Sequence, residues 1–498
     1  MSRRCLAALA AAGALAGCAG PQPGLRSDGP ETRECAGWYD ALDAQVDAAG
    51  VRDGQYAPVR GFPYLRTDRL LASLVDRARK TDAAFAAFTD RLLALELESR
   101  SHEIGNLPRE AVEALPGVGH ERPRSDAYAR TQACARLLRE HDLVRPEARS
   151  RLLDSARVPD DYSDAARFAG LYPLTRVFFA SGIRRWEAEA RAGFAAPTAP
   201  HAIRYAPPSA SPALSRGAAA AMIGRAELDP LGVPLLSERE FARFAAAYAP
   251  SIEIAITGEA DRFGALRWGR DDPVPQVDAS DVVVYAQQAH TRYEDRILLQ
   301  LVYTLWFPER PPEREGDPLA GRLDGLVWRV TLGPDGEPLL YDSIHPCGCY
   351  HQFFPTPRAQ PRPAPDALEE WAFTPAVLPR VAEGGRPVLR LASRTHAIER
   401  VTVTSDADSV VRYAFRDYDE LRSLQTLSGG RRSVFGPDGL IAGSERPERL
   451  FFWPMGIRSA GAMRQWGRQA TAFVGRRHFD DADLIERRFA LDLGGEAR

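Results

Sequence analysis

From residue 36 to residue 193 the apolar positions recur every three or four residues; beyond residue 222 they begin to alternate. The first pattern predicts amphipathic helices over 36–50, 67–99, 125–143 and 164–193, because a 3.6-residue period gathers such positions on one face. Pro108, Pro116 and Pro123 interrupt the series, and Pro173 should end or kink its last member, since proline lacks the amide hydrogen that a helix interior needs. Between the two patterns runs APTAPHAIRYAPPSASPALSRGAAAA, rich in Pro, Ala and Ser. That composition predicts a linker or extended arm over 195–222, dividing a helical domain (33–194) from a second domain (223–498).

In the second domain VVVYAQQAHTRYEDRILLQLVYTLWF predicts two strands, 282–291 and 297–307, joined by a polar turn. LDGLVWRVTLGPDGEPLLYDSIH repeats the design, with Pro334-Asp335-Gly336 as the turn. Further strands are expected over 387–391, 399–404, 409–415 and 449–453. Short strands at this spacing point to an antiparallel β-rich domain, a sandwich or strongly curved sheet, and so to an α+β chain overall. No internal repeat or βαβ rhythm is visible. The glycines at 333 and 336 lie between strands, so they mark a hairpin rather than a phosphate loop.

Composition adds location more than chemistry. A chain of 498 residues exceeds one ordinary core, which favours two domains. Its net charge, 64 − 67 = −3, argues against broad nucleic-acid binding. Lys80 is the single lysine, so the abundant arginine reads as a genome-wide bias and not as anion recognition. The chain opens MSRRCLAALAAAGALAGCAG, with two arginines before an apolar run too short to span a bilayer, the form of an export signal. Within it Leu15-Ala16-Gly17-Cys18 resembles the lipobox of bacterial lipoproteins. The resemblance implies a signal peptide over 1–17, acylation of Cys18 as first residue of the mature chain, a tether over 18–32, and attachment to a membrane of the bacterial cell envelope through lipid. Ala19 after that cysteine favours the outer membrane, facing the periplasm.

An exported chain changes how DSIHPCGCYHQFFP is read. In an extended strand His345, Cys347, Cys349 and His351 would share one face but spread over about 20 Å. They converge only if the backbone turns sharply, as Pro346 and Gly348 permit. Two thiolates and two imidazoles would then suit Zn or Cu, with His290 and His396 as further ligands and Asp342 or Asp295 as carboxylate partners or general bases. A disulfide is the competing reading in an oxidising compartment. Pairing Cys35 with Cys134 would staple two helices and leave Cys347 and Cys349 as their own pair; neither metal nor disulfide is the third outcome.

The C-terminal stretch mixes aromatics with Arg458, Arg464, Trp466, Arg476 and Arg477, which suits an anionic or glycan ligand; a segment covering a sheet edge is the alternative. Ser393 and Ser459 lack a nucleophile-elbow context. Three functions stand at this point: a lipid-anchored envelope protein whose Zn or Cu site is structural or acts as a Lewis acid, a noncatalytic lipoprotein that binds an envelope glycan or protein, and a structural lipoprotein with its cysteines in disulfides.

Overall fold

The computed structural model describes residues 29–196, 202–208, 214–270, 274–404 and 411–494. Cys18, the export signal and most of the tether lie outside them. Helix α1 (Pro30–Ala49) carries proline in its first turn and stops at Gly50, whose φ of 65° is the left-handed conformation that ends helices. Helix α2 (Asp82–Asn106) starts where the Thr81 side chain accepts the Ala84 amide, and α3 (Pro123–Asp142) again opens on proline. Trp38, Leu42, Phe88, Leu92 and Leu138 fill the core between them. Cys35 and Cys134 are joined by a disulfide between α1 and α3, their Cα atoms 5.0 Å apart. Helix α4 (Tyr172–Ala195) follows the short helix Asp164–Ala169, with Pro173 in its first turn: the proline ends one helix and opens the next.

Eleven strands build two larger sheets. They are β1 (Ile203–Ala206), β2 (Ser251–Ile254), β3 (Val283–Tyr293), β4 (Arg296–Arg310), β5 (Gly321–Leu332), β6 (Pro338–Ile344), β7 (Gln352–Pro355), β8 (Arg386–Leu391), β9 (Ile398–Thr404), β10 (Val411–Arg412) and β11 (Ala414–Asp417). The six-stranded sheet has the order β7-β6-β5-β4-β3-β11 and the five-stranded sheet β9-β8-β2-β1-β10. Leu299, Tyr303 and Trp328 from the first share one core with Ile252, Ile254 and Leu389 from the second, so the two sheets pack face to face. The opposite face of the larger sheet is covered as well, where Val283, Tyr285 and Trp306 meet Tyr418, Val434 and Met463. Burial on both faces explains the near-continuous apolar run of β4, which strict alternation would not produce.

The chain is α+β, as its patterning predicts, with helices mainly in the N-terminal half and sheets in the C-terminal half. The sheets are mixed, however: β11 runs parallel to β3, β8 to β2 and β10 to β1. The stretch 195–222 contains β1 and the start of the helix Arg216–Gly224, so its described part supplies structure to the smaller sheet and is no plain linker. Residues 449–453, expected as a strand, form the helix Arg449–Phe452 and the start of a 3-10 turn, Trp453–Met455. The helical region is also tied to the C-terminal part. Arg422 holds Asp53 at 2.7 Å, the Tyr162 hydroxyl donates to the Ala472 carbonyl at 2.8 Å, and Arg167 donates to the Met455 carbonyl at 2.8 Å.

Candidate functional site

The loop between β6 and β7 makes the turn that Pro346 and Gly348 promise. The Gly348 amide donates to the His345 carbonyl at 2.8 Å and the His345 amide to the Cys349 carbonyl at 3.0 Å. Gly348 has φ 92°, and a Cβ there would sit 2.3 Å from the Ala470 carbonyl oxygen, so only glycine fits. Arg464 clamps the loop from outside: its backbone amide donates to the Pro346 carbonyl and its guanidinium to the Cys347 carbonyl, both at 3.2 Å.

The turn sends its histidines to separate carboxylates. His345 Nδ1 lies 3.1 Å from Asp324, which also takes His396 Nδ1 at 2.8 Å and Arg446 at 3.1 Å. His351 Nε2 lies 2.9 Å from Asp342, which pairs with Arg329 at 2.6 Å across the strands where register sets the two opposite each other. Burial alone would raise both carboxyls. The Asp324 acid is nevertheless held well below the ordinary range by His345 and Arg446, and that of Asp342 below it by Arg329 and the His351 hydrogen bond. Burial lowers both imidazoles, that of His351 to about 3. Each ring has one nitrogen on its aspartate, and His345 Nε2 and His351 Nδ1 are buried without a partner among the described residues.

Cys347 and Cys349 are free thiols. Cys349 donates toward Cys347, which makes Cys347 the more acidic of the two, while that bond and burial push Cys349 up. Among the described residues, no three of His345, Cys347, Cys349, His351, His290 and His396 bring ligand atoms within 4.8 Å of one another. The expected Zn or Cu shell is thus not assembled, because the two aspartates hold the imidazoles apart. The gathered group is instead Glu98, His102 and Asp419, where Arg422 already pairs with both carboxylates.

What the loop does border is a cavity of about 460 Å³ under α4. Phe179, Ile183 and Trp186 from the helix face Phe373, Phe452 and Phe473 across it. The Trp186 ring lies 5.1 Å from Phe373, and Phe452 stacks on Phe473 at 4.5 Å. Cys349, His351, Glu370, Glu448 and Arg477 are among the polar residues at its wall, with Glu187 from α4. The Glu370 carboxylate accepts the Val474 amide at 2.9 Å and that of Phe473. Glu448 differs. It is 4% exposed, yet its carboxylate makes no hydrogen bond or ion pair among the described residues. Burial raises its pKa to about 7, against the pull of Arg446 and Arg310, and burial raises Glu370 and Glu187 too.

The other sequence candidates lie apart from this wall. His290 Nε2 meets the Pro234 carbonyl at 2.8 Å, and burial lowers its pKa to about 4. Asp295 is exposed at the β3–β4 turn. Arg458 pairs with Asp438 at the surface, Arg476 with Asp160 and Asp164, and Trp466 packs on Phe479. Arg464 is buried in the loop clamp described above. Only Arg477 of the five borders the cavity, its guanidinium donating to the Trp371 carbonyl at 2.6 Å. The arginine-aromatic stretch is thus chiefly a packing segment. Patterning missed Asp324, Glu370 and Glu448; a charged run, SERPERL, hides Glu448 among residues that read as solvent-facing. The one usable signal was α4, which has more apolar residues than a single buried stripe requires.

Comparison with known families, curated proteins and solved structures finds no match to this chain.

Proposed function

We propose that this is a lipid-anchored protein of the bacterial envelope that binds an amphiphile in the cavity under α4. The ligand class follows from the lining. An aliphatic or aromatic body fits between the aromatic walls, and a head group that is cationic or donates hydrogen bonds suits a lining with three carboxyls and one arginine. The single observation that carries the reading is Glu448, a buried residue whose carboxyl faces the cavity with no hydrogen-bond or ion-pair partner among the described residues. Such a group costs stability unless something else meets it.

The noncatalytic binding reading gains support from this lining. A Zn or Cu function at His345, Cys347, Cys349 and His351 loses it, since their ligand atoms are directed to different partners. The lipid anchor rests on the lipobox resemblance alone.

Native mass spectrometry of the Cys18→Ser chain with dodecylamine or dodecanoate tests the ligand class. Retention of the amine in preference to the acid is expected. Gly182 lines the cavity, and a Cβ there meets nothing within 4 Å, so Gly182→Phe should fill the space and abolish retention. Retention of neither amphiphile, or equal retention by Gly182→Phe, would refute the reading.

A further inference from the structure

Large apolar side chains stand exposed on α4, on the short helix before it and on the helix Arg449–Phe452; the first and last of these also line the cavity. Phe168 is 86% exposed and Phe178 78%, with Leu171, Leu174 and Val177 beside them. Across from them Leu450 is 68% exposed, and Phe451 and Trp453 are also exposed. The two groups form one surface. The Gly170 position abuts Pro454, the Phe179 ring lies 5.4 Å from Phe452, and Phe178 and Phe452 both line the cavity. Exposed Arg184, Arg185 and Arg449 stand on the same two elements.

Bulky aliphatics with phenylalanine, a tryptophan and flanking arginines are the make-up of a surface that lies at a bilayer interface, where rings and chains enter the acyl boundary and guanidinium groups meet anionic head groups. We infer that this face seats on an anionic lipid bilayer, so that the cavity opens toward the membrane and its ligand enters from the lipid phase. The inference rests in part on the reading of the cavity as an amphiphile site. An acylated Cys18 would add proximity, because the roughly ten residues between it and α1 span at most about 35 Å. The single acyl-anchored end leaves orientation open, and the apolar face supplies it.

The test uses the full mature chain as Cys18→Ser, which removes the lipid and so isolates the surface. It is sedimented with vesicles of phosphatidylethanolamine with and without phosphatidylglycerol, alongside Leu174→Glu/Phe451→Glu. Both substituted side chains are exposed, so the fold should keep its melting temperature. The parent chain should sediment with the anionic vesicles and shift its tryptophan emission to the blue, a shift lost in Trp453→Phe. The double variant should partition at least about tenfold less while still retaining dodecylamine in solution. Equal sedimentation of parent and double variant overturns the inference, as does an unbound parent. A parent that instead dimerises through this face, with dimerisation lost in the double variant, also overturns it. Loss of dodecylamine binding in the parent would count against the cavity reading alone. Failure of wild-type protein to fractionate with cell membranes while the vesicle result holds would count against the anchor alone.

Discussion

Two buried clusters of charge differ in one respect. In the helical region Arg66 bridges Glu96 at 2.8 Å and Glu103 at 2.7 Å, Arg100 takes the same two glutamates, and Arg422 closes on Asp53 at 2.7 Å with Ser99 as an added donor. The charges there meet opposite charges. Beside the cavity, Glu448 meets none within hydrogen-bond distance among the described residues. Burial is nearly complete in both places, so burial does not distinguish a structural charge from a candidate site; pairing does. A paired network fixes how α2 sits against the C-terminal part, and an unpaired carboxyl leaves a demand that a ligand can fill.

The contrast predicts opposite signs for removing a charge. Arg422→Ala leaves buried Asp53 with only Arg66, 3.8 Å away, as a cationic partner and should cost about 3–5 kcal/mol, read from urea unfolding; a cost under about 1 kcal/mol would mean that the network holds nothing. Cys35→Ser with Cys134→Ser releases a loop spanning 99 residues in sequence, next to that network, and should lower stability by up to about 4–5 kcal/mol on chain-entropy grounds and less where the reduced chain keeps structure. Nonreducing peptide mapping of the wild type should find the two cysteines joined.

Glu448→Gln should act the other way. In the unfolded chain the carboxyl ionises near its ordinary 4.5, whereas in the native protein it holds its proton to about 7. Stability therefore falls as pH rises from about 4.5 to about 7 and stays lower above that. The glutamine variant lacks this loss, so above pH 7 it should be more stable than wild type, by on the order of 2–3 kcal/mol, with no difference in acid. Thermal melts across pH decide it, and a variant destabilised at every pH would show that Glu448 has a partner after all. Smallest is Arg476→Ala, whose half-exposed pairing with Asp160 and Asp164 should be worth under about 0.5 kcal/mol.

Much of this fold was legible because period and burial agree. The helices over 36–50 and 125–143, the β3–β4 hairpin and the turn at Gly348 follow from local residues alone. Residues 449–453 are helical although RLFFW has strand-like composition, and local pattern does not show that Phe452 packs on Phe179 and Phe473. The stretch 195–222 reads as a linker or extended arm because β1 is four residues long and its sheet partners lie far away in the chain. The site was least legible. The four residues of the His/Cys loop lie close in sequence, but Asp324 and Asp342 decide where the imidazoles point. Glu448 lines a cavity that it shares with α4, more than 250 residues earlier in the chain.

Calorimetric titration of dodecylamine into wild type and Glu448→Gln across pH tests the central claim most directly. Binding should tighten in wild type as pH rises toward about 7 and level off above it, because the ammonium favours the ionised Glu448, by roughly tenfold in all per pKa unit that the ligand pulls the carboxyl down. Glu448→Gln should bind more weakly and without that pH dependence. Equal affinity and an equal pH profile in the two proteins would contradict the account.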